Sequence, residues 1–314
     1  MIERPDVDEL LAGELGEWLQ GQKLVRGEAR EKSNSRLVKS AFIVLPLAAF
    51  LLFGPSFNFQ FKIWIIIAAC IGAGWWIYAP RAKAIAQTKE GINSALAKAL
   101  GLFYQHEIEP GHGFERARTF KMVPRFDRSN FEDLWSGEVA GRAFSLHEAH
   151  LKERRSSGKN SHYVTVFRGP VMTISCDRTI HGTTLLERAG KHRKFLFFSE
   201  KDEVRFDGID MQKVDMVHPQ FEDEFSIYST DPVEAKYLAH PAYVEKLIAV
   251  ESAFSGQQIR TLFHGNELTV VLEAENMFES GNMDAGRDRE MIETCIGQFM
   301  SMTELAGALN EERR

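Results

Sequence analysis

The sequence predicts an α+β protein: a helical transmembrane hairpin plus a cytoplasmic domain of antiparallel strands with segregated helices. Two observations support this prediction. Two long apolar runs without charged side chains lie close together near the beginning of the chain. Beyond residue 110, runs rich in β-branched and aromatic residues follow one another between turn residues, and helical stretches stand apart from them. Strands and helices that are segregated rather than alternating indicate an antiparallel sheet.

The two apolar runs are long enough to cross a lipid bilayer. The first lies between Lys39 and Lys62, and the second extends from Ile63 to Pro80. About 20 apolar residues in a helix span the ~30 Å hydrocarbon layer. Neither run has the polar stripe of a helix on the surface of a soluble core. Aromatic residues at both ends of the second run suit the headgroup region. We therefore expect two membrane-spanning helices joined by a short turn.

Basic residues flank the two runs unequally. Six lie between residues 23 and 39 and three between residues 81 and 89, whereas the connecting loop has Lys62 alone. Because cytoplasmic segments carry the excess of lysine and arginine, both termini are expected in the cytoplasm. The predicted domains are a cytoplasmic amphipathic N-terminal helix (1–36), a two-helix transmembrane hairpin (37–80), a juxtamembrane helix (81–106) and a cytoplasmic α+β domain (107–314).

Apolar residues also recur at helical spacing on both sides of the predicted hairpin, between residues 7 and 19 and between residues 85 and 103. Each stripe needs a partner that covers it. We expect the two stripes to pack on each other as an antiparallel extension of the hairpin. The alternative is that one stripe lies on the bilayer surface or binds another chain.

Turn residues divide the later part of the chain into strands. Gly141 and the pair Gly265–Asn266 predict two β-hairpins, since both lie between β-rich runs. The segment 162–176 is predicted to be a strand region interrupted at its Gly-Pro pair, 169–170. A short buried strand is predicted over 194–198.

Helix start signals follow in the next segment. Asp231 is a suitable N-cap, Pro232 occupies the first helical position, and Glu234 stands where a capping box places an acid. Pro241 lacks an N–H group, so it should divide this region into two short helices. An amphipathic helix is predicted over 289–309.

Five segments after the apolar runs carry a family resemblance. They are YQHEIEPGHGF (104–114), FEDLWSGEVAGRAFSLHEA (131–149), FRG (167–169), FEDEFSIYSTDPVEAKYLAHPAYVEKL (221–247) and NELTVVLEAENMFE (266–279). Together they resemble the bacterial family catalogued as domain of unknown function 3137. The Phe-rich strand that runs into D-x-x-E-A-x-Y-L is the most specific part. His240 departs from the family pattern, in which a small hydroxyl residue is expected.

The resemblance implies an N-terminal helix, two close membrane spans and a cytoplasmic α+β domain in the bacterial inner membrane. It implies no catalytic residues, because none are assigned to the family. Members are often associated with membrane-anchored proteins of the LemA type. The expected partners are therefore the lipid bilayer and either a membrane protein of the LemA type or a second copy of the chain.

Three short motifs could suggest a reactive site, but none has the required pattern. His147 and His150 would point to opposite faces of a strand and could not share a metal ion. Cys176 and His181 lack a recognisable third group that would orient the imidazole. Ser136 lacks the glycines of a nucleophile elbow. We therefore expect no catalytic, cofactor-binding or metal-binding residue and no cofactor, and the sequence favours a protein that is not an enzyme.

Charge limits the possible partners. The net charge of −6 lacks the basic surplus of a nucleic-acid-binding protein, so no nucleic-acid partner is expected. Two loops are nevertheless basic, and on a tethered domain they could contact anionic headgroups at about 1 kcal/mol per basic side chain. The alternative is that they are solvated hairpin tips. The predicted lipid contacts are Arg154, Arg155, Lys159, Arg188, Lys191, Arg193 and Lys194.

Two functions from different classes fit these patterns. The first is an inner-membrane protein whose cytoplasmic domain is a binding or scaffolding module, because a large folded domain lacks a convergent catalytic set. The second is a membrane-tethered hydrolase or lipid-handling enzyme. Its site would be assembled from distant residues, which geometry reveals and sequence order does not.

Overall fold

The computed structural model describes residues 3–54, 58–158, 160–190, 201–215, 224–275 and 277–308. The chain forms two compact units. The helical unit comprises residues 6–92 and 280–292, and the sheet unit comprises residues 1–5, 93–279 and 293–314. The helices are α1 (Val7–Ala12), α2 (Glu14–Phe53), α3 (Phe59–Ala99), α4 (His112–Thr119), α5 (Pro232–Leu238), α6 (Pro241–Ala253) and α7 (Asp288–Ala308).

The described strands form one antiparallel sheet. Its order is β1-β2-β3-β4-β10-β9-β5-β8-β7-β6, so β1 and β6 are its edges. Helices do not alternate regularly with the strands along the chain, and the predicted α+β class is confirmed. The strands are β1 (Phe103–Glu107), β2 (Arg128–Val139), β3 (Arg142–Ser157), β4 (Asn160–Ser175), β5 (Thr184–Arg188), β6 (Glu203–Phe206), β7 (Ile209–Val214), β8 (Phe225–Ser229), β9 (Gln257–His264) and β10 (Glu267–Glu273).

In the helical unit, α2 and α3 form an antiparallel pair. The Ser33 hydroxyl on α2 donates to the Ile77 carbonyl on α3 at 2.8 Å. One turn further along α2, the Arg36 guanidinium donates to the Trp76 carbonyl at 2.8 Å and lies over the indole ring. The two helices therefore lie side by side, as a hairpin requires.

The same pairing continues beyond the apolar runs. The Trp18 indole on α2 packs so closely on Gly91 of α3 that a Cβ at position 91 would overlap it. Leu15, Leu19 and Ile92 are buried near this contact. The prediction that the two stripes pack on each other is confirmed here. Both helices are continuous, so the change of composition near residues 36 and 80 is not a break in structure.

The first turn of α7 is held to α2 by a buried ion pair. Both guanidinium nitrogens of Arg26 donate to the two carboxylate oxygens of Asp288 at 2.8 Å. The side chains are 2% and 7% exposed. A carboxylate in the first turn also suits the positive end of the α7 dipole. This pair contributes to the positioning of the first turn of α7 within the helical unit.

The prediction of a juxtamembrane helix over 81–106 is wrong at its end, because α3 stops at Ala99. Gly101 adopts a left-handed φ of 71°, and the Leu102 N–H donates to the Ala97 carbonyl at 2.8 Å. This bond pattern is a Schellman end, in which glycine terminates the helix. The following residues form β1, which pairs with β2.

Both predicted hairpins are confirmed. The turn between β2 and β3 has positive φ at Ala140 and Gly141, and the turn between β9 and β10 has positive φ at Gly265 and Asn266. Two successive positive φ angles define the type I′ turn, whose twist matches the flanking strands.

The interruption predicted at residues 169–170 is wrong, because β4 is continuous through it. Gly169 pairs with Ala149 of β3, and Pro170 pairs with Glu148. The φ of Gly169 is 146°, and a Cβ there would overlap the Leu272 carbonyl oxygen at the end of β10. Glycine thus allows a close backbone approach without ending the strand. The strand predicted over 194–198 lies outside the described residues.

The two short helices predicted around Pro241 are present as α5 and α6. The Asp231 carboxylate caps α5 by accepting the backbone N–H groups of residues 233 and 234 at 3.0 Å. Glu234 does not close a capping box. Its carboxylate instead accepts the N–H groups of His181 and Gly182 at 3.0 and 2.7 Å, so it ties the loop before β5 to α5.

Candidate functional site

The exposed apolar surface of α2 and α3 is the first candidate for a functional surface. An 18-residue window has a mean hydropathy of 1.9 in α2 and 1.7 in α3, and only 11% and 0% of these windows are buried. By length and composition, both helices could cross a membrane. Phe42, Phe53 and Trp75 are 78%, 91% and 78% exposed. Core helices of similar composition would be mostly buried.

A basic side chain at the start of α3 reaches the end of α2. Lys62 lies in the first turn of α3, is 8% exposed, and its ammonium group donates to the Gly54 carbonyl at 3.3 Å. Gly54 ends α2, where unpaired carbonyl groups carry partial negative charge. The side chain therefore caps one helix from the start of the next.

A cluster of metal-ligating side chains lies at the β1 edge of the sheet unit. His106 comes from β1, and Glu132 and Asp133 come from β2. One donor atom of each lies within 4.8 Å of the other two. The Asp133 Oδ1 atom is 3.0 Å from His106 Nδ1 and accepts the Tyr104 hydroxyl at 2.6 Å. Asp133 is fully buried, whereas the His106 side chain is 35% exposed.

A β-bulge brings the two acids of this edge cluster together. Glu132 pairs with Glu148 of β3 and Trp135 pairs with Leu146, so β2 contains one extra residue between these pairs. Asp133 lies in this bulge with a left-handed φ of 58°. In a regular strand, successive side chains point to opposite faces. The bulge redirects the backbone, and both carboxylates can then approach one imidazole.

Sequence analysis did not predict this cluster. Tyr104 and His106 alternate correctly for one face of a strand, but the juxtamembrane helix predicted over 81–106 includes them. In a regular strand, Glu132 and Asp133 would point to opposite faces. The available signal was the acid pair in one strand beside a Tyr-x-His pattern in another. This signal does not identify a site unless the β1–β2 register and the bulge in β2 are known.

The remaining sequence motifs have structural roles. His147 is buried in an aromatic cluster, whereas the His150 imidazole lies on the opposite, exposed face, 2.8 Å from the Thr165 hydroxyl. The two imidazoles thus lie in different environments, as expected for opposite faces of a strand. Burial raises the pKa of the Cys176 thiol to about 11, so this residue is not an activated thiolate.

The predicted lipid-contact residues are in different environments. Arg154 and Arg155 are exposed near the β3–β4 hairpin, where Arg154 donates to the Ser161 hydroxyl at 3.0 Å. Arg188 pairs with Glu224 and Glu251, and its guanidinium lies over the Phe225 ring. Its charge is therefore balanced within the sheet unit. Lys159, Lys191, Arg193 and Lys194 lie outside the described residues.

These features define an α+β protein with two candidate membrane helices and an antiparallel sheet unit. A family model described as "Protein of unknown function (DUF3137)" matches residues 165–311. The resemblance predicted from the sequence is thus confirmed over residues 165–311.

Other comparisons add little to this assignment. No curated protein matches the chain. A similar solved structure is the crystal structure of the mycobacterial trehalose monomycolate transport factor A, TtfA. The two share 11% sequence identity, the match covers 73% of this chain and 98% of that chain, and the TM-score is 0.36.

Proposed function

We propose that this chain is a membrane protein anchored by the hairpin of α2 and α3, and that its sheet unit is a binding or scaffolding module. The observation that supports the anchor is the exposure of both apolar windows, of which 11% and 0% are buried. Exposed apolar surface on this scale is unfavourable in water. In a bilayer it is favourable, because each helix satisfies its backbone hydrogen bonds internally.

The described polar groups of the sheet unit support a module rather than an enzyme. Glu148 is fully buried, yet its carboxylate is held by Arg168 at 2.5 Å and by the Met277 N–H at 3.2 Å. A hydrolase that forms a covalent intermediate would need an activated nucleophile. Cys176 is not activated, since its pKa is raised.

The membrane anchor can be tested by placing charge on the exposed apolar surface of α3. Ile67 and Ile71 lie one helical turn apart on α3, and they are 42% and 68% exposed. An arginine at the centre of a spanning helix costs about 2.5 to 3.5 kcal/mol. We expect the parent chain to float with membranes in a density gradient after an alkaline wash, and the I67R/I71R double variant to lose this property.

Ser94→Arg is the matched control, because Ser94 is an exposed position of the same helix beyond the apolar run. This variant should float with membranes in the density gradient, as the parent chain does. Recovery of the untreated parent chain in the soluble fraction would contradict the anchor.

We propose a membrane protein of the LemA type or a second copy of the chain as the partner of the module. Affinity purification of the full chain in mild detergent should recover either a homo-oligomer or a stoichiometric membrane protein. Light scattering of the purified complex distinguishes the two. Repeated recovery of a lone monomer would count against the module.

The exposed arginines near the β3–β4 hairpin are proposed to contact anionic lipid. The full chain in nanodiscs that contain phosphatidylglycerol should show slower hydrogen exchange around Arg154 and Arg155 than in neutral nanodiscs. R154E/R155E should remove this difference, because each basic side chain contributes about 1 kcal/mol of attraction. R205E is a suitable control, since the Arg205 side chain on β6 is also exposed. Equal exchange in both lipids would exclude the contact.

A further inference from the structure

We propose that His106, Glu132 and Asp133 form a binding site for one Zn²⁺ ion at the β1 edge of the sheet. Their donor atoms lie within 4.8 Å of one another, and His106 Nδ1 is 3.0 Å from Asp133 Oδ1. In a tetrahedral zinc site with bonds of 2.0–2.2 Å, ligand atoms are about 3.4 Å apart. The present separations therefore approach the required geometry, and small side-chain rotations would complete it.

The donor set favours zinc over Mg²⁺ and Ca²⁺. One imidazole nitrogen and two carboxylate oxygens are ligands that zinc accepts in proteins. Mg²⁺ and Ca²⁺ prefer sites made of oxygen alone. Three protein ligands leave a fourth position for water, and the partial exposure of His106 gives access to it.

Groups outside the three ligands orient both carboxylates. The Tyr104 hydroxyl donates to Asp133 Oδ1 at 2.6 Å, and the Asn130 amide donates to Glu132 Oε1 at 2.7 Å. Ligating carboxylates in metalloproteins are commonly held by such outer hydrogen bonds. The two carboxylates are therefore preorganised before a cation binds.

The electrostatics of Asp133 also suit a cation. The carboxylate is fully buried, and burying a charge is costly unless an opposite charge lies nearby. A divalent cation between His106 Nδ1 and Asp133 Oδ1 would supply positive charge beside this buried carboxylate. It would also join the edge strand β1 to β2.

The experiment is a calorimetric titration of the full chain in mild detergent, purified without a histidine tag and stripped with a chelator. We expect the parent to bind one equivalent of Zn²⁺, and MgCl₂ to give no comparable binding. H106Q and E132Q should each weaken zinc binding by more than about tenfold, because even the loss of an outer hydrogen bond costs 10- to 100-fold. Zinc should raise the melting temperature of the parent and of neither variant.

Glu107→Gln is the matched control. Glu107 lies opposite Glu132 in the β1–β2 ladder and is exposed, but it is not one of the three ligands. E107Q should bind zinc as the parent does. Each variant should also match the melting temperature of the metal-free parent, which shows that it is folded. The proposal is overturned if the parent binds no zinc, if H106Q and E132Q bind as tightly as the parent, or if E107Q weakens binding equally.

Discussion

At the scale of single residues, His147 shows how burial decides the state of a titratable group. Its imidazole lies 6.4 Å from the Phe114 ring and 6.0 Å from the Phe131 ring, measured between centroids, and the residue is 4% exposed. Burial lowers the pKa of His147 to about 4, because the imidazolium would lose its hydration among these rings. The HEAH motif is therefore part of the core rather than an acid–base site.

The low pKa of His147 predicts a pH dependence of stability. The pKa is about 4 in the folded state and near 6.5 in the unfolded chain, so the unfolded chain binds more protons between these values. The free energy of unfolding should therefore be fully retained above pH 6.5 and fall by about 3 kcal/mol as the pH drops toward 4. Thermal melts of the full chain in detergent across this range measure the effect.

His147→Leu should flatten this part of the pH profile, because the variant has no imidazole to protonate. His162→Gln is the control, since His162 is exposed on β4 and its loss should leave the profile unchanged. An H147L profile as steep as that of the parent would show that another group controls the stability.

Gly169 is a second residue whose role depends on packing. Its left-handed φ and the nearby Leu272 carbonyl exclude a Cβ, so Gly169→Ala should lower stability by roughly 2 kcal/mol or more. Gly297→Ala should have the opposite sign, because Gly297 lies within α7 with open space around it, and alanine favours a helix by about 1 kcal/mol. The melting temperatures of both variants test these two expectations. Equal shifts in melting temperature would contradict the packing argument.

At the scale of elements, α2 and α3 are held together in two chemically different regions. Their apolar windows are exposed, whereas Trp18 and Gly91 pack against each other beyond those windows. The small residue allows the indole to approach the helix backbone. The helix pair is thus specified both by hydropathy and by local shape.

A double-mutant cycle tests this contact. Gly91→Ala should destabilise the helical unit by overlap with the indole, and Trp18→Ala should destabilise it by opening a cavity. In the double variant the new methyl group has room, so the two effects should not add, with a coupling energy of about 1 kcal/mol or more. Thermal melts in detergent provide the four values, and simple additivity would exclude the contact.

At the scale of the whole molecule, each unit has its own candidate surface. The helical unit contains the exposed apolar windows, and the sheet unit contains the edge cluster of His106, Glu132 and Asp133. The first is a property of composition over many residues. The second depends on three side chains whose strands meet only in the folded sheet.

The basic residues that flank the apolar runs predict the orientation of the whole chain. Alkaline phosphatase fused at the C-terminus should be inactive and a fluorescent protein fused there should fluoresce, because both termini are expected in the cytoplasm. Phosphatase inserted in the loop between α2 and α3 should be active. The reverse pattern would show that the charge asymmetry does not set the topology.

Much of the fold could be predicted because its signals are local. The hairpin turns at Gly141 and Gly265, the cap at Asp231 and the break at Pro241 each depend on a few neighbouring residues. The end of α3 was missed although Gly101 marks it, because the apolar pattern continues into β1. Periodicity alone could not separate the last turn of the helix from the first residues of the strand.

The sequence by itself determined the α+β class, the two apolar helices and the main turns, since hydropathy, helix caps and turn residues act over short distances. Only the tertiary structure decided that β4 continues through Gly169, that His147 is buried and that His106, Glu132 and Asp133 converge. These features depend on strand register and on one bulge. Both are set by contacts between residues far apart in the chain, which no local pattern specifies.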